Sequence, residues 1–325
     1  MRSFVWTVCI LWIVAGVAGV VYSSQQNIPS RIAAAAIVAL LVEAALYSMP
    51  GVADFRQRLA SIGSPIEQGA CLWIAAMTPY LIYSIGAGCF TWESFALLAA
   101  IAGFLSFWYA IAPWRELPMQ TDLLLLAVAA GILLSDAFKT IYPQLAPKAT
   151  VNILGQLMLI RTYAFALLCI RKHDLVGFGF WPSRRDWAVG LRQFACFIPL
   201  GFALAYATGF TTFRAFDPAK MIPAFLLTFL GILWVVALSE ELFFRGVLQQ
   251  HIQRLAGNPW MALVLTSLLF GMVHLPFREF PNWKFMAMAT AAGLFYGRAF
   301  QETGSIRSGM VTHALVASIW KVFLT

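Results

Sequence analysis

The sequence predicts an all-α fold, a polytopic membrane bundle of about eleven transmembrane helices, and three observations carry that prediction. First, 61% of the 325 residues are hydrophobic and only 11% are charged, with a mean hydropathy of +0.78. A soluble domain carries about 25% charged residues, so an ordinary soluble fold, a disordered chain and a disulfide-built domain are all excluded. Second, apolar runs near the 20 residues that a membrane helix needs recur from end to end. Third, the basic residues behind the +8 net charge are scattered between those runs. That is the pattern of loops held at an anionic leaflet, not of a nucleic-acid surface.

The apolar runs are, in order, 5–22, 32–49, 69–88, 94–111, 121–137, 151–170, 191–210, 221 to beyond Glu241, 260–275, 285–300 and 310–324. The first follows Met1-Arg2 and exceeds the apolar core of a signal peptide, so it reads as a retained helix. The second and sixth each hold one charge, Glu43 and Arg161, which pair with polar neighbours or face a cavity. Residues 113–118, bracketed by Pro113 and Pro118, form a seam before the fifth run. Residues 171–186, the longest and most charged connection, form a second seam before the seventh. Gly257-Asn258-Pro259 breaks the chain between the eighth and ninth. Ala289, Gly293 and Gly297 put a small-residue stripe on the tenth, suited to close helix packing. His173 and His251 fall in loop or interfacial positions and are expected to be solvated. The five cysteines form no Cys-x-x-Cys pair, so no disulfide framework or thiolate metal site follows. The many Phe and Trp residues suit lipid-facing helices and imply no cofactor.

Ionisable residues inside an apolar span are expensive and mark functional positions. They concentrate near the C-terminus, in Glu240-Glu241-Leu242-Phe243-Phe244-Arg245, in Phe270-Gly271-Met272-Val273-His274 and in Thr312-His313. Glu241 and Arg245 are four residues apart, share a helix face and can pair. Glu240 is turned from Glu241 by about 100° and has no partner on its own helix, which makes it the candidate acid/base group and Glu241–Arg245 a brace. The bland alternative is a water-facing helix end with Gln249 and Arg254 beyond. Glu240 lies 17 residues before Gly257, and His274 lies 17 after it. An antiparallel hairpin therefore brings both to one depth, about 25 Å from the turn. The first arm then projects beyond the hydrocarbon, as Gln249, Gln250, His251, Gln253 and Arg254 allow.

A carboxylate and an imidazole sharing one water can deprotonate it for attack on a carbonyl, with His313 as a donor to the developing oxyanion. The same Glu240, His274 and His313 could instead be three zinc ligands with water in the fourth position; the residues leave both open. There is no His-Glu-x-x-His motif, no Gly-x-Ser-x-Gly elbow and no support for a cysteine nucleophile.

Glu-Glu-x-x-x-Arg (Glu240, Glu241, Arg245), Phe-x-x-x-His (Phe270, His274) and a third helix with His313, in that order, resemble the CAAX-protease and bacteriocin-processing family. These are intramembrane glutamic endopeptidases related to the prenyl-protein type II CAAX endopeptidases. The resemblance covers roughly residues 221–325. It extends more loosely back to 116, where Val176-Gly177-Phe178 and Arg184-Arg185-Asp186 resemble the loop that precedes the family's core helices. It implies a protease-like core over 116–325 and leaves 1–115 as an N-terminal helical region without an assigned role. It further implies Glu240 and His274 as the water-activating pair, His313 as an oxyanion donor, Glu241 and Arg245 as the brace, and Phe270 packed beneath the site. The family often has Asn four residues after its last histidine, whereas this chain has Ala317, with Ser318 about 100° off that face. The implied function is cleavage of a membrane-associated protein or peptide by an integral multi-pass protein of the bacterial cytoplasmic membrane, without cofactor or nucleic acid. A catalytically inactive scaffold or immunity protein of the same fold, and a zinc protease using the same three residues, are the alternatives.

Overall fold

The structure is a computed structural model and describes residues 2–172, 177–211 and 214–324. The described residues form helices and no β-strand. The chain folds as two compact units, Met1–Asp174 and Leu175–Thr325. The division falls in the second of the two seams, and the helices that follow residue 116 in the first unit pack with those before it. His173 and Val176 lie outside the described residues.

The first unit holds α1 (Arg2–Gln25), α2 (Ser30–Ser48), α3 (Ala53–Ala60), α4 (Pro65–Ala87), α5 (Trp92–Ile111), α6 (Pro118–Leu134), α7 (Ala137–Ile141) and α8 (Ile153–Ile170). Local chemistry sets several of the ends. At α4, the Ser64 hydroxyl accepts from the Glu67 amide, the Glu67 carboxylate accepts from the Ser64 amide at 2.6 Å, and Pro65 takes the first helical position. In the unit's interior Glu43 and Arg161 meet each other. Arg161 donates through Nε to Glu43 Oε1 at 2.6 Å and through Nη2 to Oε2 at 3.1 Å, and Nη2 also reaches the Ala75 carbonyl at 2.8 Å. Both side chains are buried, so one forked ion pair ties α2, α4 and α8 together.

The second unit holds α9 (Arg184–Thr208), α10 (Pro218–Ala256), α11 (Pro259–Met272), α12 (Trp283–Thr303) and α13 (Ile306–Phe323). Asp186 and Ser183 cap α9 reciprocally. The expected break is present: Gly257 ends α10 at φ +63°, a left-handed conformation that favours glycine. Asn258 then caps α11, its Oδ1 accepting from the amides of Trp260 and Met261 at 2.9 and 3.2 Å. The core gathers Phe197, Ala205, Phe270, Met288, Ala292 and Tyr296 from α9, α11 and α12. The small-residue stripe does pack closely. A Cβ on Gly293 would meet Phe270, Ser267 and Arg245 at 3.3 Å, and one on Gly297 would sit 2.9 Å from Gln249 Oε1.

Each of the eleven apolar runs falls largely within a helix, but only seven helices among the described residues are long and apolar enough to cross a membrane. The expected count of eleven spans is therefore not confirmed. α6 and α11 have 17 and 14 residues, too few for about 30 Å of hydrocarbon when upright. α12 and α13 are diluted by small and charged residues, Lys284, Arg298 and Glu302 on one and Arg307 and Lys321 on the other. At 39 residues, α10 is roughly 55–60 Å long and exceeds the hydrocarbon, as the hairpin argument requires.

Candidate active site

The site starts in the middle of α10, where the backbone is not uniformly α-helical. Turns with the wider π spacing occupy Ile232–Ala237 and Leu242–Gln249, and between them sits one α-helical turn, Leu238–Glu241. Such interruptions often occur at functional positions because they re-aim side chains. The turn they isolate carries both glutamates.

Glu241 and Arg245 form the ion pair that their spacing suggests, Arg245 Nη1 donating to Glu241 Oε1 at 3.0 Å with both side chains fully buried. Arg245 Nη2 donates to the Gly293 carbonyl at 2.8 Å, and its guanidinium lies 4.9 Å from the Phe270 ring centroid and 5.4 Å from that of Tyr296. The charge is thus held by a carboxylate, a carbonyl of α12 and two aromatic faces. His313, on α13, places Nδ1 3.0 Å from Glu241 Oε1 and Nε2 3.7 Å from Glu240 Oε2. Its ring stacks on Tyr296 at 4.5 Å and 11°. The imidazole therefore bridges the two carboxylates, sandwiched between α10 and α12. Close backbone approach makes this possible: a Cβ on Gly309 would lie 2.6 Å from Glu241 Oε2.

Glu240 differs from its neighbour. Its side chain is 31% exposed against 0% for Glu241, and its buried Oε2 accepts no hydrogen bond. His274 lies just beyond the last turn of α11. Its Nδ1 is 2.7 Å from the Phe270 carbonyl, and because a carbonyl can only accept, Nδ1 carries the hydrogen and Nε2 is left free. Phe270, Phe277 and Phe285 surround the ring. No hydrogen bond or ion pair joins Glu240 directly to His274 among the described residues; Glu240 instead approaches His313, at 3.7 Å. His274, His313, Phe270, Tyr296 and Ala317 line one cavity of about 500 Å³.

Two expectations are corrected here. Gln249 and His251, read as water-facing or solvated, are buried. Gln249, four residues beyond Arg245, lies on the face that carries Glu241 and Arg245, against Gly297. Tyr296 was not singled out by sequence reasoning, although its place one residue before Gly297, on the packed stripe, was the available signal. Among the described residues no group of three or more His, Cys, Asp and Glu side chains is arranged to hold a metal ion.

Comparison with known proteins bears on this same region. Residues 222–319 match the family model described as type II CAAX prenyl endopeptidase Rce1-like. This stretch is similar to that family. The Rce1-like segment contains Glu240, Glu241, Arg245, Phe270, His274 and His313, and stops short of Lys321. A stretch of 86 residues is also 33% identical to part of a Bacillus subtilis (strain 168) protein described as uncharacterized protein YpbD. That similarity covers 26% of this chain and 40% of the relative's length. No solved structure matches the chain.

Proposed function

We propose that this protein is an intramembrane endopeptidase that hydrolyses a peptide bond in a membrane-associated protein or peptide, using water activated by Glu240 and His274. The observation that carries the reading is the free imidazole nitrogen of His274 on the wall of a cavity shared with His313, while Glu240, partly exposed and with no donor to its Oε2, lies 3.7 Å from that same His313, backed by the buried Glu241–Arg245 pair. In this reading one water is shared between Glu240 and His274. Glu240 takes a proton from that water, His274 Nε2 accepts a hydrogen bond from it, and the hydroxide attacks the carbonyl carbon. The C–N bond then breaks and the proton on Glu240 passes to the leaving amine.

His313 is the oxyanion donor in this reading. With Nδ1 donating to Glu241, donation through Nε2 requires the doubly protonated ring. Ala317 lines the cavity at the place where a further donor would sit, so stabilisation of the oxyanion rests on His313 alone. The similarity to a Bacillus protein favours a bacterial cytoplasmic membrane. A zinc reading with Glu240, His274 and His313 is the alternative, and the metal test below separates the two.

The test is purified protein with a quenched-fluorescent peptide library. Wild type should cleave, Glu240→Ala and His274→Ala should not, and EDTA should leave cleavage intact. Cleavage that survives Glu240→Ala would sink the glutamate mechanism. Loss with EDTA and rescue by zinc would favour the metal reading, and binding without cleavage by wild type would favour an inactive scaffold.

A further inference from the structure

The cavity that holds His274 and His313 has a charge pattern that water activation does not use. Its walls are mainly aromatic and aliphatic, yet three cations, Arg214, Arg278 and Lys321, also line it, and no Asp or Glu does. They come from separate places: the approach to α10, the turn after α11 and the last turn of α13. All three are exposed, and none has an ion pair with a carboxylate among the described residues. Of the acids in the same segments, Asp217 pairs with Lys220 at 3.1 Å and Glu241 with Arg245, while Glu279 and Glu240 lie outside the cavity lining. The arrangement is fixed rather than incidental. The Arg214 amide donates to the Phe323 carbonyl at 3.0 Å, which ties it to the end of α13 that carries Lys321. Arg278 is held at φ +68°, a region unusual for a residue with a side chain. Arg214 and Lys321 both lie outside the Rce1-like segment, so that similarity does not account for them.

Like charges brought to one mouth repel each other and attract an anion, and low-dielectric walls concentrate that field. We propose that Arg214, Arg278 and Lys321 are specificity-determining residues, and that the peptide taken by this cavity carries a carboxylate beside the apolar residues it seats. This rests on the reading of the cavity as a peptide site. A carboxylate is supplied either by an acidic side chain or by a free chain end. A lipid phosphate is the weaker fit, because the cations share their cavity with both histidines rather than lying apart from them.

The experiment measures binding, in Glu240→Gln protein so that turnover does not interfere, in an uncharged detergent at low ionic strength. The probe is a fluorescein-labelled apolar octapeptide pool in three forms: C-terminal acid, C-terminal amide, and C-terminal amide with one internal Glu. At least one anionic form should bind roughly ten-fold more tightly than the neutral amide, as expected for charge-assisted contacts, and salt should weaken that preference. Comparing the acid with the Glu-bearing amide identifies the source of the carboxylate. Changing all three exposed cations together, R214Q/R278Q/K321Q, should bring the anionic forms to the affinity of the amide while the amide itself binds as before. Equal binding of all three forms, or a preference that survives the triple change, would overturn the proposal and leave the peptide-site reading standing. Binding of no form, or binding unaffected by filling the cavity with Ala292→Trp, would overturn both. Phosphatidylglycerol retained by the parent and lost from the triple variant, without any peptide preference, would assign the rim to lipid and overturn the proposal.

Discussion

Glu241 Oε1 is approached by Arg245 Nη1 and His313 Nδ1, both at 3.0 Å, so its carboxylate joins two helices through one atom. Removing only one partner of a buried pair leaves an uncompensated charge, which costs about 3–5 kcal/mol. Arg245→Met should therefore lower the unfolding midpoint sharply in detergent, and Glu241→Gln with Arg245→Met should recover much of the loss. Equal midpoints for the single and double variants would refute the brace. At residue 317 the expectation runs the other way. Asn placed there projects into the cavity and adds a donor, so Ala317→Asn should raise kcat by roughly ten-fold, a modest share of what one oxyanion donor contributes elsewhere; an unchanged kcat in the peptide assay would place the oxyanion away from that wall. The Glu241–Arg245 pair was legible because four residues bring two side chains to one face. The bridging position of His313 was not, because contact between residues 72 apart depends on tertiary packing.

The hairpin of α10 and α11 was legible from its break, since Gly257, Asn258 and Pro259 are each suited to ending or starting a helix. The π turns were not. Nothing in Ile232–Ala237 or Leu242–Gln249 distinguishes them from α-helical sequence, and the burial of Gln249 and His251 came out opposite to the sequence expectation because it depends on tertiary packing. The same close packing makes α13 sensitive at one glycine. A Cβ on Gly309 would come within 2.6 Å of Glu241 Oε2 and 3.2 Å of the Tyr296 carbonyl. Gly309→Ala should abolish or strongly reduce cleavage while leaving helix content by circular dichroism unchanged. Full activity in that variant would mean that α13 can give way without disturbing the carboxylates.

Membrane insertion and the helical class followed from composition alone, because no soluble domain survives on so few charges. Helix count did not follow, since length and apolarity divide the eleven runs differently from sequence punctuation. Pairing across the first unit was equally hidden: Glu43 and Arg161 are 118 residues apart, and sequence shows only that each is expensive where it lies. Glu43→Ala leaves the buried guanidinium with the Ala75 carbonyl alone and should destabilise by about 3–5 kcal/mol. Adding Arg161→Met should restore part of that, and tryptophan fluorescence during heating reads both; a neutral Glu43→Ala would show that the pair is dispensable. The length of α10 has a consequence of its own. A rod nearly twice as long as the oily slab is thick cannot be hidden by leaning, because ordinary tilts reach only about 40°. Some of it must stand in water, and Glu240 rides near its midpoint. How deeply the acid sits is then a matter of how the rod is seated, and a thicker or thinner bilayer resets the draught of that carboxylate much as cargo resets the waterline of a hull.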